Sequence, residues 1–268
     1  MNCVSGQAWT KGRLLGALLA LPLAGFGVSA RADLIRASIT VDNTFALYVG
    51  DYYSATSFKG SDPNTYDGGG NAAWASVETF NFDLPTSAFL YVVTASDQLV
   101  AQGFLGQFEN LTTGTKFYSN DAQWQVAATG LGSGAPYAGT AGDLALLSAQ
   151  IALANAGGPG HPSGGWTSLT AGASNSGSGS DHPWTSNLAG IDGAARWTWY
   201  AGGNCSTTNP TIGSCNANEW LMFRIAVAAT TEDPHPAPVN VPEPATLMLL
   251  CAGFAGLAFS RRGRWVRT

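Results

Sequence analysis

Several residue groupings in this chain have the types and spacing to do chemistry. Asp62, Asn64 and Asp67 fall within the six-residue stretch Asp62-Pro63-Asn64-Thr65-Tyr66-Asp67, which runs into three glycines. Hard oxygen donors on a flexible backbone are what calcium takes, so these three are candidate calcium ligands, with Asp42, Asp51 and Asp97 as further carboxylates at strand ends. The EF-hand loop is not matched, because no glutamate stands at its twelfth position, and a solvated turn is the competing reading. Trp166 and Trp184 lie in Gly/Ser/Pro surroundings, where an indole face can stay open and stack on a sugar ring. They are the candidate glycan contacts. Asp181 and Asp192 are the carboxylates that a glycoside hydrolase would set across a cleft. Ser180-Asp181-His182 holds the residue types of a nucleophilic triad, but triad partners come from separate segments. No G-x-S-x-G, H-E-x-x-H, C-x-x-C or G-x-G-x-x-G occurs, and the domain reads as non-catalytic.

Two cysteines, Cys205 and Cys215, enclose the polar, turn-rich segment Ser-Thr-Thr-Asn-Pro-Thr-Ile-Gly-Ser. A metal site needs more ligands than this pair, and no histidine is near. A disulfide is the expectation, as befits an exported chain.

The elements that must position these groups are mostly strands. Alternating or continuous apolar runs predict strands within 38–49 (interrupted at Asp42-Asn43), 77–82, 89–95, 103–108, 124–126, 196–200 and 219–227. Turn-forming residues punctuate them, the pattern of a β-sandwich. In 196–200, Trp197 and Trp199 share one face by alternation and read as core. One helix is predicted at 143–155, with Asp143 as N-cap, Leu144, Leu147 and Ile151 as its apolar stripe, and Asn155 and Gly157 as its stop. The Gly/Ser-rich stretch 156–183 reads as a long loop or as two short strands joined by loops.

Both ends of the chain differ from this pattern. Lys11 and Arg13 precede an apolar run over 14–28, and Ala30-Arg31-Ala32 supplies a small-x-small cleavage site. Residues 1–32 therefore read as a signal peptide. The β-sandwich domain is expected over 33–229 and a proline-rich, extended stalk over 230–241. Between 33 and 240 stand five basic and sixteen acidic residues, a net charge of −11. That balance excludes the basic footprint of a nucleic-acid binder.

At the other end Val241-Pro242-Glu243-Pro244 leads into an apolar segment, 245–259, and then into Arg261, Arg262 and Arg264. Fifteen helical residues reach roughly 22 Å, a marginal span of a ~30 Å hydrocarbon core. The arginines would hold the far end in the cytoplasm. Short motif, hydrophobic helix and basic tail over 242–268 resemble the PEP-CTERM sorting signal, with Pro-Glu-Pro present letter for letter. The resemblance implies export across a Gram-negative envelope and transient membrane anchoring through the C-terminal helix. It also implies recognition by an exosortase-type membrane protease, and association with exopolysaccharide or biofilm matrix.

The domain itself resembles galactose-binding-domain-like jelly rolls. The carriers are Asp42-Asn43-Thr44-Phe45-Ala46-Leu47-Tyr48-Val49-Gly50, the turn Leu84-Pro85-Thr86-Ser87, and the closing pair Ala195-Arg196-Trp197-Thr198-Trp199 with Phe223-Arg224. Thr86-Ser87 stands where such turns carry glycine. The resemblance implies a jelly-roll-like β-sandwich and a carbohydrate-binding or exopolysaccharide-associated module. A secreted hydrolase and a purely structural surface protein are the alternatives.

Overall fold

The computed structural model describes residues 32–62, 73–85, 87–96, 101–132, 141–157, 165–176, 187–202, 205, 210–213, 215–216 and 219–227. All belong to the compact unit that begins at Arg31. The leader, the stalk, the sorting signal, Asn64, Asp67, Asp97, Asp181 and Trp184 lie outside the described residues.

The fold is mainly β, with two antiparallel sheets of six strands each and one helix. The first sheet contains β1 (Asp33–Asp42), β4 (Glu78–Leu84), β6 (Gly103–Asn110), β7 (Lys116–Tyr118), β10 (Thr170–Ser174) and β11 (Arg196–Trp199). The second orders as β3 (Ala55–Ser61), β2 (Thr44–Gly50), β5 (Phe89–Ala95), β12 (Glu219–Ala226), β8 (Gln125–Gly132) and β9 (Thr167–Ser168). The interruption expected at Asp42-Asn43 is where the chain leaves one sheet and enters the other. β1 pairs with β4 and β6, and β2 pairs with β3 and β5.

The main core lies between the sheets. Ile35, Ala37, Ile39 and Val41 of β1 face Leu90 and Val92 of β5 and Leu221, Phe223 and Ile225 of β12 across it. On β1 the intervening Leu34 and Arg36 are exposed, the alternation of a strand with one wet face. There Arg36 pairs with Glu109 directly opposite on β6. β5 reads differently, as an unbroken apolar run, because both of its faces are covered. Its other face, Tyr91, Val93 and Ala95, joins Leu147, Ile151 and Ala154 of α1 (Ala141–Ala156), which lies over the outer face of the second sheet. The predicted helix and stripe are thus in place, with Leu147 and Ile151 buried and Leu144 packed at the margin.

Strands β3 and β7 were not expected from the sequence. Both are half-exposed and polar enough to hide any alternation. The stretch after the helix contains the two short strands β9 and β10. Trp197 and Trp199 are both fully buried, but the shared face is a correction. Trp197 packs with Leu105, Leu188 and Ile191 in a third cluster, whereas Trp199 belongs to the core between the sheets and meets Phe223 at 5.9 Å. Trp199 is the last residue of β11, where the strand ceases to fix the side its residues take.

The two ends of the sandwich are distinct. β6 and β12 both start at the end that carries Cys205 and Cys215, which form the expected disulfide. Both finish at the end where Leu111 N–H donates to Leu34 O and Val227 N–H to Ala88 O. The described chain therefore enters and leaves at that second end.

Candidate functional sites

The second end bears two groups of side chains that could meet a ligand. One stands on the outer face of the second sheet and the other opens beside the core, because successive residues of β12, Arg224 and Ile225, leave opposite faces.

The outer group is built on the turn between β2 and β3. Gly50 opens it, since a Cβ there would lie 2.0 Å from the Ser54 carbonyl oxygen and 2.7 Å from the Ala55 Cα, both backbone atoms. Asp51 Oδ1 accepts from the N–H groups of Tyr53 (2.7 Å) and Ser54 (2.8 Å), and Asp51 N–H donates to Ser54 O at 2.9 Å. This side chain locks the turn and lifts Tyr52 and Tyr53 out of it, 43% and 73% exposed, with their rings edge to face at 5.0 Å.

Behind them sits Arg224, only 4% exposed. Its guanidinium lies 3.9 Å from the Trp166 ring centroid, 4.9 Å from that of Tyr52 and 5.5 Å from that of Phe89. Nε donates to Gln125 Oε1 at 2.9 Å and an Nη to Asn155 Oδ1 at 2.7 Å. Asn155 also accepts from the Trp166 indole N–H (2.8 Å) and donates to Tyr52 O (2.8 Å). Burial lowers the Arg224 pKa from its ordinary value, and the neighbouring Tyr91 and Tyr52 oppose that shift. Tyr91, which donates to Asp51 O, is pushed up to about 12, chiefly by burial.

Trp166, expected as a glycan contact, is thus half-buried and fixed. It packs on the helix-covered face, with its indole N–H engaged and its ring against Arg224. Sequence reasoning missed Tyr52, Tyr53 and Arg224. A signal existed for the tyrosines: two adjacent aromatics after Gly50-Asp51 cannot both face inward from a tight turn.

The Asp51 carboxyl is held below its usual value, first by the Tyr53 N–H and then by that of Ser54. A folded-state pKa below the unfolded one contributes stability that is present above about pH 4 and lost as pH falls through the folded value. Acidification below that point is expected to loosen the turn, seen as faster amide exchange at Tyr53 and Ser54. Asp51→Asn keeps an oxygen acceptor without a titration and should remove this pH dependence.

The inner group is a cleft of about 360 Å³ lined by Asn110, Thr115, Phe117, Asp121, Gln123, Ile225, Ala226 and Val227. Phe117 lies flat on Phe108, 5.0 Å between centroids and 10° between planes, and lines the cleft. Asn110 Oδ1 accepts from Thr112 N–H (2.9 Å) and Thr113 N–H (3.2 Å), which leaves the donor end of its amide. Asp121 Oδ2 accepts from Tyr118 N–H at 3.2 Å, and burial raises its pKa against that bond. No local pattern announces this cleft, because its walls come from segments a hundred residues apart.

The remaining sequence candidates take no part in either group. Asp62 is buried just past the end of β3, opposite the start of β2, its N–H donating to Phe45 O at 3.1 Å. Asp192 is exposed and its Oδ1 accepts from Ala194 N–H at 2.9 Å, a turn contact. Among the described residues no three His, Cys, Asp or Glu side chains converge as a metal site would need.

Outside the described domain, residues 240–262 match the PEP-CTERM protein-sorting motif. This chain carries a PEP-CTERM sorting signal. Val241, Pro242, Glu243 and Pro244 fall within the match, as do Arg261 and Arg262, while Arg264 lies just past it. The PEP-CTERM signal marks an exported protein, sorted to the surface of Gram-negative cells with an exosortase as its processing partner. No curated protein and no solved structure matches the chain.

Proposed function

We propose that this exosortase-sorted surface protein is a non-catalytic module that holds extracellular polysaccharide on an aromatic platform made by Tyr52, Tyr53 and Trp166. The observation that carries the reading is Tyr53, an aromatic ring 73% exposed on a turn that Gly50 and Asp51 lock in place. Two adjacent exposed aromatic rings offer a flat apolar surface, and the apolar face of a sugar is a natural partner for it. Trp166 and Tyr52 extend the same patch around Arg224, which prevents them from collapsing onto one another and so lowers the ordering cost of binding.

The net charge of −11 between residues 33 and 240 narrows the polymer class. A uronate-rich chain would be repelled at low salt, so neutral polysaccharides fit better. The test is intrinsic fluorescence of the full chain in detergent, titrated with neutral and acidic polysaccharide fractions from the producing cells. A saturable shift with the neutral fraction is expected, at least about tenfold weaker in Tyr53→Ala. Absence of a shift with every fraction would remove the platform reading and leave a structural surface domain.

A further inference from the structure

We propose that the cleft between Phe117 and Val227 is a second binding site, shaped for a single neutral pyranose ring. It goes beyond the platform, with which it shares no residue, and rests on the glycan reading only in the kind of molecule the domain meets. The apolar part of the cleft wall is Phe117, Ile225 and Val227. Its polar groups are of two opposite kinds. Asp121 offers a carboxylate that is partly desolvated and accepts one backbone N–H. Asn110 offers a donor, because its oxygen is already used by Thr112 and Thr113. Thr115 and Gln123 add neutral groups at the exposed rim.

A ligand for this set must have an apolar face and edge groups that both donate and accept. Hydroxyls on a ring do this. A uronate would set its carboxylate against Asp121, with no basic side chain among the described residues that line the cleft to compensate. An ammonium would suit Asp121 but meet the donor end of Asn110. The volume stands near the lower end of the roughly 300–1,000 Å³ range of small-ligand sites, enough for a ring and too little for a folded-back chain.

The experiment is saturation-transfer NMR and calorimetry on the full chain in detergent. The probes are methyl β-D-glucopyranoside and methyl β-D-galactopyranoside, with glucuronate and glucosamine as charged comparisons. Saturable binding of at least one methyl glycoside is expected, about tenfold weaker in Asp121→Asn, whose amide oxygen can still accept from Tyr118. Thr115→Arg, at the exposed rim two residues before Phe117, should abolish it, with unchanged thermal melting showing that the fold is kept. The proposal is overturned if neither glycoside saturates, if both variants bind as the parent does, or if glucuronate or glucosamine binds more tightly. Tyr53→Ala separates the two sites, since its loss of polysaccharide binding with glycoside binding intact assigns the ring to the cleft.

Discussion

Arg224→Ala is expected to lower the stability of the domain by about 3 kcal/mol, the combined order of a large-to-small core change and two lost charge-assisted hydrogen bonds. For a domain of this size that is a fall in melting temperature of roughly 6–12 °C. The reason lies in what the guanidinium joins. It links β12 to β8 through Gln125, to the end of α1 through Asn155, and fills the space between Tyr52, Phe89 and Trp166. Among the described residues the one carboxylate ion pair is that of Arg36 with Glu109, so Arg224 is held by neutral acceptors and ring faces. A planar cation with several N–H donors fits such a setting, and lysine does not, because it lacks both the flat face and the fork. Arg224→Lys should therefore recover little of the loss despite keeping the charge. Arg224→Met, which restores some packing but no donors, should recover part of it. Thermal melts of the three variants decide this. A melt for Arg224→Ala within a degree or two of the parent would mean that the helix does not depend on this contact.

The same arginine shows where sequence reading stops. In Phe223-Arg224 it sits in a strand buried on both faces, and alternation gives no reason for a cation there. Its partners, Tyr52, Phe89, Gln125, Asn155 and Trp166, come from five segments that only the tertiary fold unites. Strand β5 was legible down to its end residues because burial on both faces writes an unbroken apolar run. The helix was legible because its stripe and its stop at Gly157 are local, although it begins at Ala141 and so takes the expected N-cap, Asp143, into its first turn. Strands β3 and β7 were not, because they owe their pairing to neighbours rather than to their own composition. For the sites, Trp166 could be singled out from its glycine-rich setting but its stacking on Arg224 could not, and nothing local marked Phe117 or Asp121. The sorting signal was the most readable part, since a sorting protease must read it from the chain itself.

Removal of the disulfide by Cys205→Ser with Cys215→Ser is expected to cost about 3 kcal/mol, the loop-closure value for a bridge across ten residues of chain. The bridged segment is also docked. Trp199 donates its indole N–H to Cys215 O at 2.8 Å, Gln102 N–H donates to Thr211 O at 3.1 Å, and the Asn216 amide donates to Tyr200 O at 2.9 Å and Gly202 O at 2.7 Å. These bonds cover a tryptophan of the core between the sheets, so a loop freed of its bridge opens that core to water. The exposed-loop alternative, a bridge with no packing beneath it, would give the entropic cost alone and an unchanged denaturant slope. Core opening adds a change in slope, because more surface is exposed before the main transition. The measurement is guanidinium unfolding of the full chain in detergent, parent against double variant, in oxidising buffer. Both proposed sugar-binding groups stand at the far end of β6 and β12, so on that proposal the double variant should still bind neutral sugars wherever it is folded. A double variant as stable as the parent would mean that the docked hydrogen bonds hold the loop without the bridge. Loss of sugar binding under folded conditions would mean that the two ends of the sandwich are coupled, contrary to their separation along the strands.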